Sequence, residues 1–227
     1  MPALLDLSPV VSHVHCGEIS SVLRRVSKPG VNLAIWERAP LPAAAQAIQA
    51  ILDASAPMDI DLHAPKAEQL AAEILRQTAA DSAPAIRELA ADCVLLAGHF
   101  AELAAIRHVR LRLNRVDDDG CALFHADSLS LRLLCLYAGP GTQWLENDNV
   151  RRDELGTRSR PLDEANRAIV IEPAAIRTIP NWHAAAFKGR AWPGEEDNAL
   201  IHRSAPVTQH NARRIRLTLD SPKNCGC

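Results

Sequence analysis

Three stretches of the chain bring together residue types that do chemistry. The first is Phe124-His125-Ala126-Asp127. On an extended backbone, side chains two apart face the same way, so His125 and Asp127 offer an imidazole and a carboxylate to one point. The second is Ala199-Leu200-Ile201-His202-Arg203-Ser204-Ala205-Pro206, an apolar run that delivers a histidine and then turns at a proline. Two histidines and one carboxylate form the facial ligand set of non-haem Fe(II) sites, with coordination positions left open. Standing alone, His202 reads equally as a strand-end histidine bonded to backbone. The third stretch is Arg214-Ile215-Arg216-Leu217-Thr218-Leu219-Asp220. Ile215, Leu217 and Leu219 face one way; Arg214, Arg216 and Thr218 face the other. If the polar face lines an interior, a guanidinium there grips a carboxylate such as that of a 2-oxo acid through two parallel hydrogen bonds. On an edge strand the same face is simply solvated.

Other residues offer weaker signals. Trp144, Trp182 and Trp192 lie close to loops around these stretches and serve either as a wall for a substrate or as packing. Cys225 and Cys227 flank Gly226 in the C-terminal tail, a pair suited to a secondary metal or redox site, or to a frayed end. Ser204 follows the second histidine but has no strand–turn–helix elbow, which argues against a serine hydrolase. Neither a phosphate-binding loop nor a dinucleotide fingerprint is present.

The elements that must position these residues follow from periodicity. Residues 43–55, 66–80 and 82–97 carry apolar stripes at helical spacing, the third opened by Ser82 as an N-cap. Val31–Trp36 reads as a short strand. Beyond residue 98 the period changes to two. Val109, Leu111 and Leu113 alternate with Arg110, Arg112 and Asn114. Further strands are expected at Leu129–Tyr137, Ala168–Glu172, Trp182–Lys188, Ala199–His202 and Arg214–Asp220, with 147–163 as polar loop. Eight of the ten glycines fall at or after Gly98, in keeping with a turn-rich second part. Short strands with Gly/Pro turns predict an α+β chain whose core is an antiparallel jelly roll, with N-terminal helices covering one sheet. The expected organisation is one domain over 1–227. Its parts are a mostly helical 1–98 packed on the sheet, a jelly-roll core at 99–222, and a flexible tail at 223–227.

Composition sets limits on partners. The chain has 227 residues, 48% hydrophobic and 23% charged, with a net charge of −2. A core of ordinary size can form without disulfide staples, and a nucleic-acid partner is not expected from so balanced a charge. Twenty-one of the 25 basic residues are arginine, the residue suited to planar anions. No apolar window is long enough to cross a membrane. The N-terminus lacks the basic start and clean apolar stretch of a signal peptide, and six cysteines are too sparse for a secreted scaffold. A cytoplasmic protein with reduced thiols is the expectation, acting on a small-molecule or protein substrate.

The order His-x-Asp, distal His and a following Arg resembles that of the Fe(II)/2-oxoglutarate-dependent dioxygenases, which are double-stranded β-helices of the jelly-roll or cupin kind. The likeness extends to Arg132, the apolar strand ending at Tyr137, the Gly139-Pro140-Gly141-Thr142 turn, and Pro206-Val207. It implies His125, Asp127 and His202 as ligands of Fe(II) and as the catalytic centre. It implies 2-oxoglutarate anchored by Arg214, with Arg216 second, and Tyr137 and Arg132 beside the co-substrate. The reaction implied is oxidative decarboxylation of 2-oxoglutarate to succinate coupled to hydroxylation of a substrate. The whole sequence is also similar to an uncharacterised family of bacterial proteins known as a domain of unknown function. Its marks here are Phe124–Asp127, Arg132–Trp144, Phe187–Gly194, His202–Pro206 and Arg214–Asp220. Members encoded beside zinc-responsive metal-handling GTPases imply a second reading: a zinc-binding, non-oxidising jelly-roll protein of metal homeostasis, or an inactive binding protein.

Overall fold

The computed structural model describes residues 12–55, 57–78, 83–156, 159–207 and 212–220. Its centre is a seven-stranded sheet built from β1 (Val14–Gly17), β2 (Leu33–Trp36), β3 (Asp59–His63), β4 (Arg110–Val116), β5 (Leu131–Ala138), β8 (Ala184–Lys188) and β10 (Arg214–Asp220). Their order is β1-β2-β8-β5-β10-β4-β3. A second sheet of three short strands has the order β7-β6-β9, with β6 at Gln143–Trp144, β7 at Arg177–Thr178 and β9 at His202–Arg203. A single bridge from His125 to His202 extends the smaller sheet beside β9, and a separate bridge joins Val150 to Val170.

Side-chain alternation sorts the two faces of the large sheet. Leu111, Leu113, Leu133, Cys135, Tyr137, Ile215, Leu217 and Leu219 lie in one buried cluster with the helices α1 (Pro42–Asp53), α2 (Ala67–Thr78) and α3 (Ala83–Ala104). The opposite face supplies Leu33, Ile35, Leu134, Leu136, Ala185 and Phe187, which pack with Trp144 of the small sheet and with Ile179 and Leu200. The large sheet thus has helices on one face and the small sheet on the other. Helix α1 shows why the sequence folds this way. Pro42 starts it with a pre-set φ. Ala44, Ala47, Ile48 and Ile51 then form one buried stripe at spacings of three and four.

Several boundaries differ from the sequence expectation. Ala168–Glu172 is not a strand: its first two residues end α4 (Leu162–Ile169), a helix begun by Pro161 with Asp163 and Glu164 in its first turn, and Val170 then makes a single bridge to Val150. The fourth strand starts at Ala184 rather than Trp182, and the fifth is His202–Arg203 rather than Ala199–His202. The sheet is not wholly antiparallel, because β1 runs parallel to β2. Nor is it confined to 99–222, since β1, β2 and β3 come from the first 98 residues. Ser82 and the tail from 221 lie outside the described residues. Among the described residues, no helix is long and apolar enough to cross a membrane.

Candidate metal centre

Backbone pairing places the two histidines side by side. His125 N–H donates to His202 O and His202 N–H donates to His125 O, each at 3.0 Å. Residues that exchange both bonds in an antiparallel pair stand directly opposite, with side chains on one face. Their rings lie 4.7 Å apart between centroids. Asp127, two residues on, joins them: its Oδ1 is 3.8 Å from His125 Nε2 and its Oδ2 is 3.8 Å from His202 Nε2. One ligand atom from each of the three residues falls within 4.8 Å of the others.

The protonation pattern suits a cation. His125 Nδ1 lies 2.8 Å from Leu123 O, and His202 Nδ1 lies 3.3 Å from Leu200 O. A carbonyl can only accept, so each Nδ1 carries the proton and each Nε2 presents a lone pair to the centre. Burial above all, against the charge of Asp127, pulls His202 down to about 4, so its ring is neutral at ordinary pH. Asp127 Oδ2 is buried without a hydrogen bond, although Arg132 Nη1 lies 2.8 Å away out of alignment. Two imidazole lone pairs and an unsatisfied carboxylate oxygen fit a divalent transition ion.

Beside this cluster is a cavity of about 270 Å³, lined by five arginines. Arg214 and Arg216 come from β10, Arg112 from β4, Arg132 from β5 and Arg203 from β9. Their surroundings differ. Arg132 is held by Asp220 at 2.7 Å and by Asp127, which outweigh the cost of its burial and keep it charged. Arg112 Nη2 reaches the same Asp220 at 2.5 Å. Arg203 donates to Gln143 at 2.8 Å and lies over the Phe124 ring. Arg214, almost fully buried, donates to Ala205 O at 3.0 Å and Asp118 O at 3.2 Å. Arg216 has no hydrogen bond or ion pair among the described residues, and its Nε is buried. Burial lowers both Arg214 and Arg216 from the usual arginine range, with Arg214 repelling Arg216 in addition.

Buried polar atoms without partners are rare in folded proteins, so where they gather is informative. Among the described residues there are five such side-chain atoms. Four belong to cavity-lining residues: Arg112 Nε, Asp127 Oδ2, Arg214 Nε and Arg216 Nε. The fifth is Trp144 Nε1.

The remaining sequence candidates go elsewhere. Tyr137 is on the helix side of β5, where its hydroxyl donates to Asp92 at 2.7 Å and meets Cys93. It cannot reach the cavity, because it lies five positions from Arg132 and an odd spacing puts the two on opposite faces. Trp182 packs against Tyr137 on that same side, with ring centroids 4.9 Å apart. Trp192 stacks with Lys188. Trp144 pairs with His202 across the small sheet but fills the core between the sheets, without lining the cavity. None of the three tryptophans forms a cavity wall. Cys225 and Cys227 lie outside the described residues.

Three positions that the sequence reading missed hold the site in place. Asn166 of α4 accepts from Phe124 N at 2.9 Å and donates to Ala122 O at 3.1 Å, pinning the segment that carries His125. At Gly189 a Cβ would stand 2.1 Å from Leu129 O and 2.8 Å from Asp127 O, so only glycine lets β8 pass the segment after the second ligand. Arg112 was legible as part of a strand, but not as a cavity residue.

Comparison with solved structures finds likeness at low identity. The chain is similar to dioxygenase for auxin oxidation 1 from Arabidopsis thaliana in complex with 2-oxoglutarate, at 12% identity over 91% of each chain with a TM-score of 0.48. It is similar to the dioxygenase for auxin oxidation in rice, at 13% identity over 93% of this chain and 83% of that one, with a TM-score of 0.47. A prolyl-4-hydroxylase from Pseudomonas putida is similar at 8% identity over 90% of this chain and 99% of that one, with a TM-score of 0.46. No curated protein matches the sequence. Residues 17–220 match the family model described as protein of unknown function DUF1826, and the chain belongs to that family.

Proposed function

We propose that this protein is an Fe(II)/2-oxoglutarate-dependent oxygenase on a double-stranded β-helix. One observation carries the reading. The convergent Nε2 atoms of His125 and His202 and the Asp127 oxygen that accepts no hydrogen bond sit at the edge of a cavity whose wall holds Arg216, half-buried, with an enclosed Nε and no hydrogen-bond partner among the described residues. His125, Asp127 and His202 would hold the ion, a ligand set suited to Fe(II) that works with a 2-oxo acid and oxygen. When bound, iron with 2-oxoglutarate supplies the oxidising power for hydroxylation.

The chain's own residues bind and orient. The Nδ1 contacts to Leu123 O and Leu200 O fix both rings with Nε2 toward the ion. Arg132 stands against Asp127 and Asp220 and holds the ligand carboxylate in place. Arg216 is the anchor for the distal carboxylate, with Thr218 as its neighbour on the same face. This differs from the family pattern, which pointed first to Arg214. Arg214 already gives two of its donors to backbone carbonyls and secures the loop after His202. Leu134, Leu136 and Phe187 line the cavity and exclude water from it.

The test is uncoupled turnover. With Fe(II), ascorbate and oxygen, the protein should convert 2-oxoglutarate to succinate slowly without a primary substrate, and Asp127→Ala should abolish it. Wild-type protein that binds zinc tightly and makes no succinate points instead to a non-oxidising metal-binding role.

A further inference from the structure

Arg132 faces two acids at once and divides its donors unequally between them. Asp220 on β10 is the register partner of Arg132 on β5. Arg132 Nε donates to Asp220 Oδ1 at 2.7 Å and Nη2 donates to Oδ2 at 3.1 Å, so one edge of the guanidinium makes a two-bond fork with that carboxylate. Arg112 Nη2 reaches the same Oδ2 at 2.5 Å, so Asp220 is itself held from a second strand. Only Nη1 of Arg132 is turned toward Asp127. It stands 2.8 Å from Oδ2, yet no hydrogen bond forms and that oxygen stays unsatisfied.

The division matters because Asp127 is the carboxylate that joins His125 and His202. A guanidinium prefers the two-bond fork with a carboxylate, and a buried one without an acid is costly. Arg132, Asp127 and Asp220 are all largely buried. Released from Asp220, Arg132 would swing its fork onto Asp127, the acid already beside its Nη1. Both oxygens of Asp127 would then be spent on N–H donors, and a cation would have to displace them to bind. With Asp220 in place, Asp127 feels the charge of Arg132 but keeps the lone pairs that complement the two Nε2 atoms.

We propose that Asp220 is a positioning residue of the metal centre: it occupies the fork of Arg132 and so keeps Asp127 free for the ion. The proposal rests on the metal-ligand part of the reading above and not on the co-substrate. Asp220 touches neither the ion nor a substrate; it acts only through the guanidinium that it holds.

The experiment titrates full-length, metal-free protein with Co(II), whose visible bands report the ligand set. Affinity is read by chelator competition, and urea unfolding checks that each variant folds. Asp220→Asn should weaken Co(II) binding about tenfold, a usual cost of losing an outer support of a ligand. Adding Arg132→Gln to Asp220→Asn should restore binding. The double variant should match Arg132→Gln alone within about twofold, because an amide has no guanidinium fork to turn onto Asp127. In a merely structural role the second substitution would only add damage. The proposal is overturned if Asp220→Asn binds Co(II) as the wild type does, or if the double variant is as weak as Asp220→Asn or weaker. Where Asp220→Asn alone does not fold, Arg132→Gln and the double variant still decide: equal affinity supports the proposal, and a further loss in the double variant overturns it. Wild-type protein that binds no Co(II) overturns the metal reading as a whole. Wild-type protein that binds it, with variants that break the expected order, overturns this proposal alone.

Discussion

At the scale of single residues, the satisfied polar groups separate one arginine's role from another's. Arg214 and Arg216 share a face of one strand and look equivalent in sequence, yet their surroundings separate them. Arg214 holds two carbonyls in a nearly solvent-free setting. Arg216 holds nothing among the described residues. Arg216→Gln should raise the dissociation constant for 2-oxoglutarate about tenfold or more with stability and metal content near wild type. Arg214→Gln should instead lower stability by about 1–3 kcal/mol, because two buried carbonyls lose a charged donor. Calorimetric titration of 2-oxoglutarate and urea unfolding on both variants give the comparison. The reverse pattern would return the anchoring role to Arg214.

At the scale of elements, strand alternation was legible and strand partners were not. The sequence predicts β10 at Arg214–Asp220 and gives its two faces, because its period of two is clean. The same alternation in Arg110–Val116 shows a wet face but not that the face lines a cavity, since that depends on β10 pairing beside it. Tyr137 shows the cost of ignoring parity. Strand β5 is buried on both faces, so composition gave no direction, and a family pattern brought Tyr137 and Arg132 together against their odd spacing. The segment Asp59–His63 alternates for only five residues between two helices, too short to stand out. The run Ala-Ile-Val-Ile at 168–171 looked like a strand because apolar runs carry no period, while Pro161 with Asp163 and Glu164 carried the helix-start signal. Helix α4 matters to the site through Asn166. Asn166→Ala leaves Phe124 N–H and Ala122 O without their partner, at about 1–3 kcal/mol. The freed His125 segment should then bind metal about tenfold more weakly, a usual cost of losing an outer support. Unfolding curves and a chelator competition measure the two effects; unchanged metal affinity would show that α4 does not position His125.

At the scale of the whole molecule, the site links stability to pH. His202 is neutral in the folded state because burial drives its pKa from 6.5 to about 4. The unfolded chain takes up that proton near pH 6.5 and the folded chain only near pH 4. Stability is therefore fully present above about pH 6.5 and is lost as pH falls through that window, by roughly 3 kcal/mol at most. Metal-free protein should show this slope in urea unfolding between pH 7 and pH 4, and His202→Gln should flatten it. A slope unchanged in the variant would assign the acid sensitivity to other groups. Bound metal should steepen the loss, because a protonated Nε2 cannot be a ligand.

In the proposed function His125, Asp127 and His202 hold iron beside a 2-oxoglutarate site. Anaerobic addition of 2-oxoglutarate to the Fe(II)-loaded protein tests it most directly. The Fe(II)-loaded protein should develop a visible charge-transfer band that saturates with 2-oxoglutarate, is absent with succinate, and is lost in Asp127→Ala. Iron that binds without any band on adding 2-oxoglutarate, or a site that takes only zinc, would contradict it.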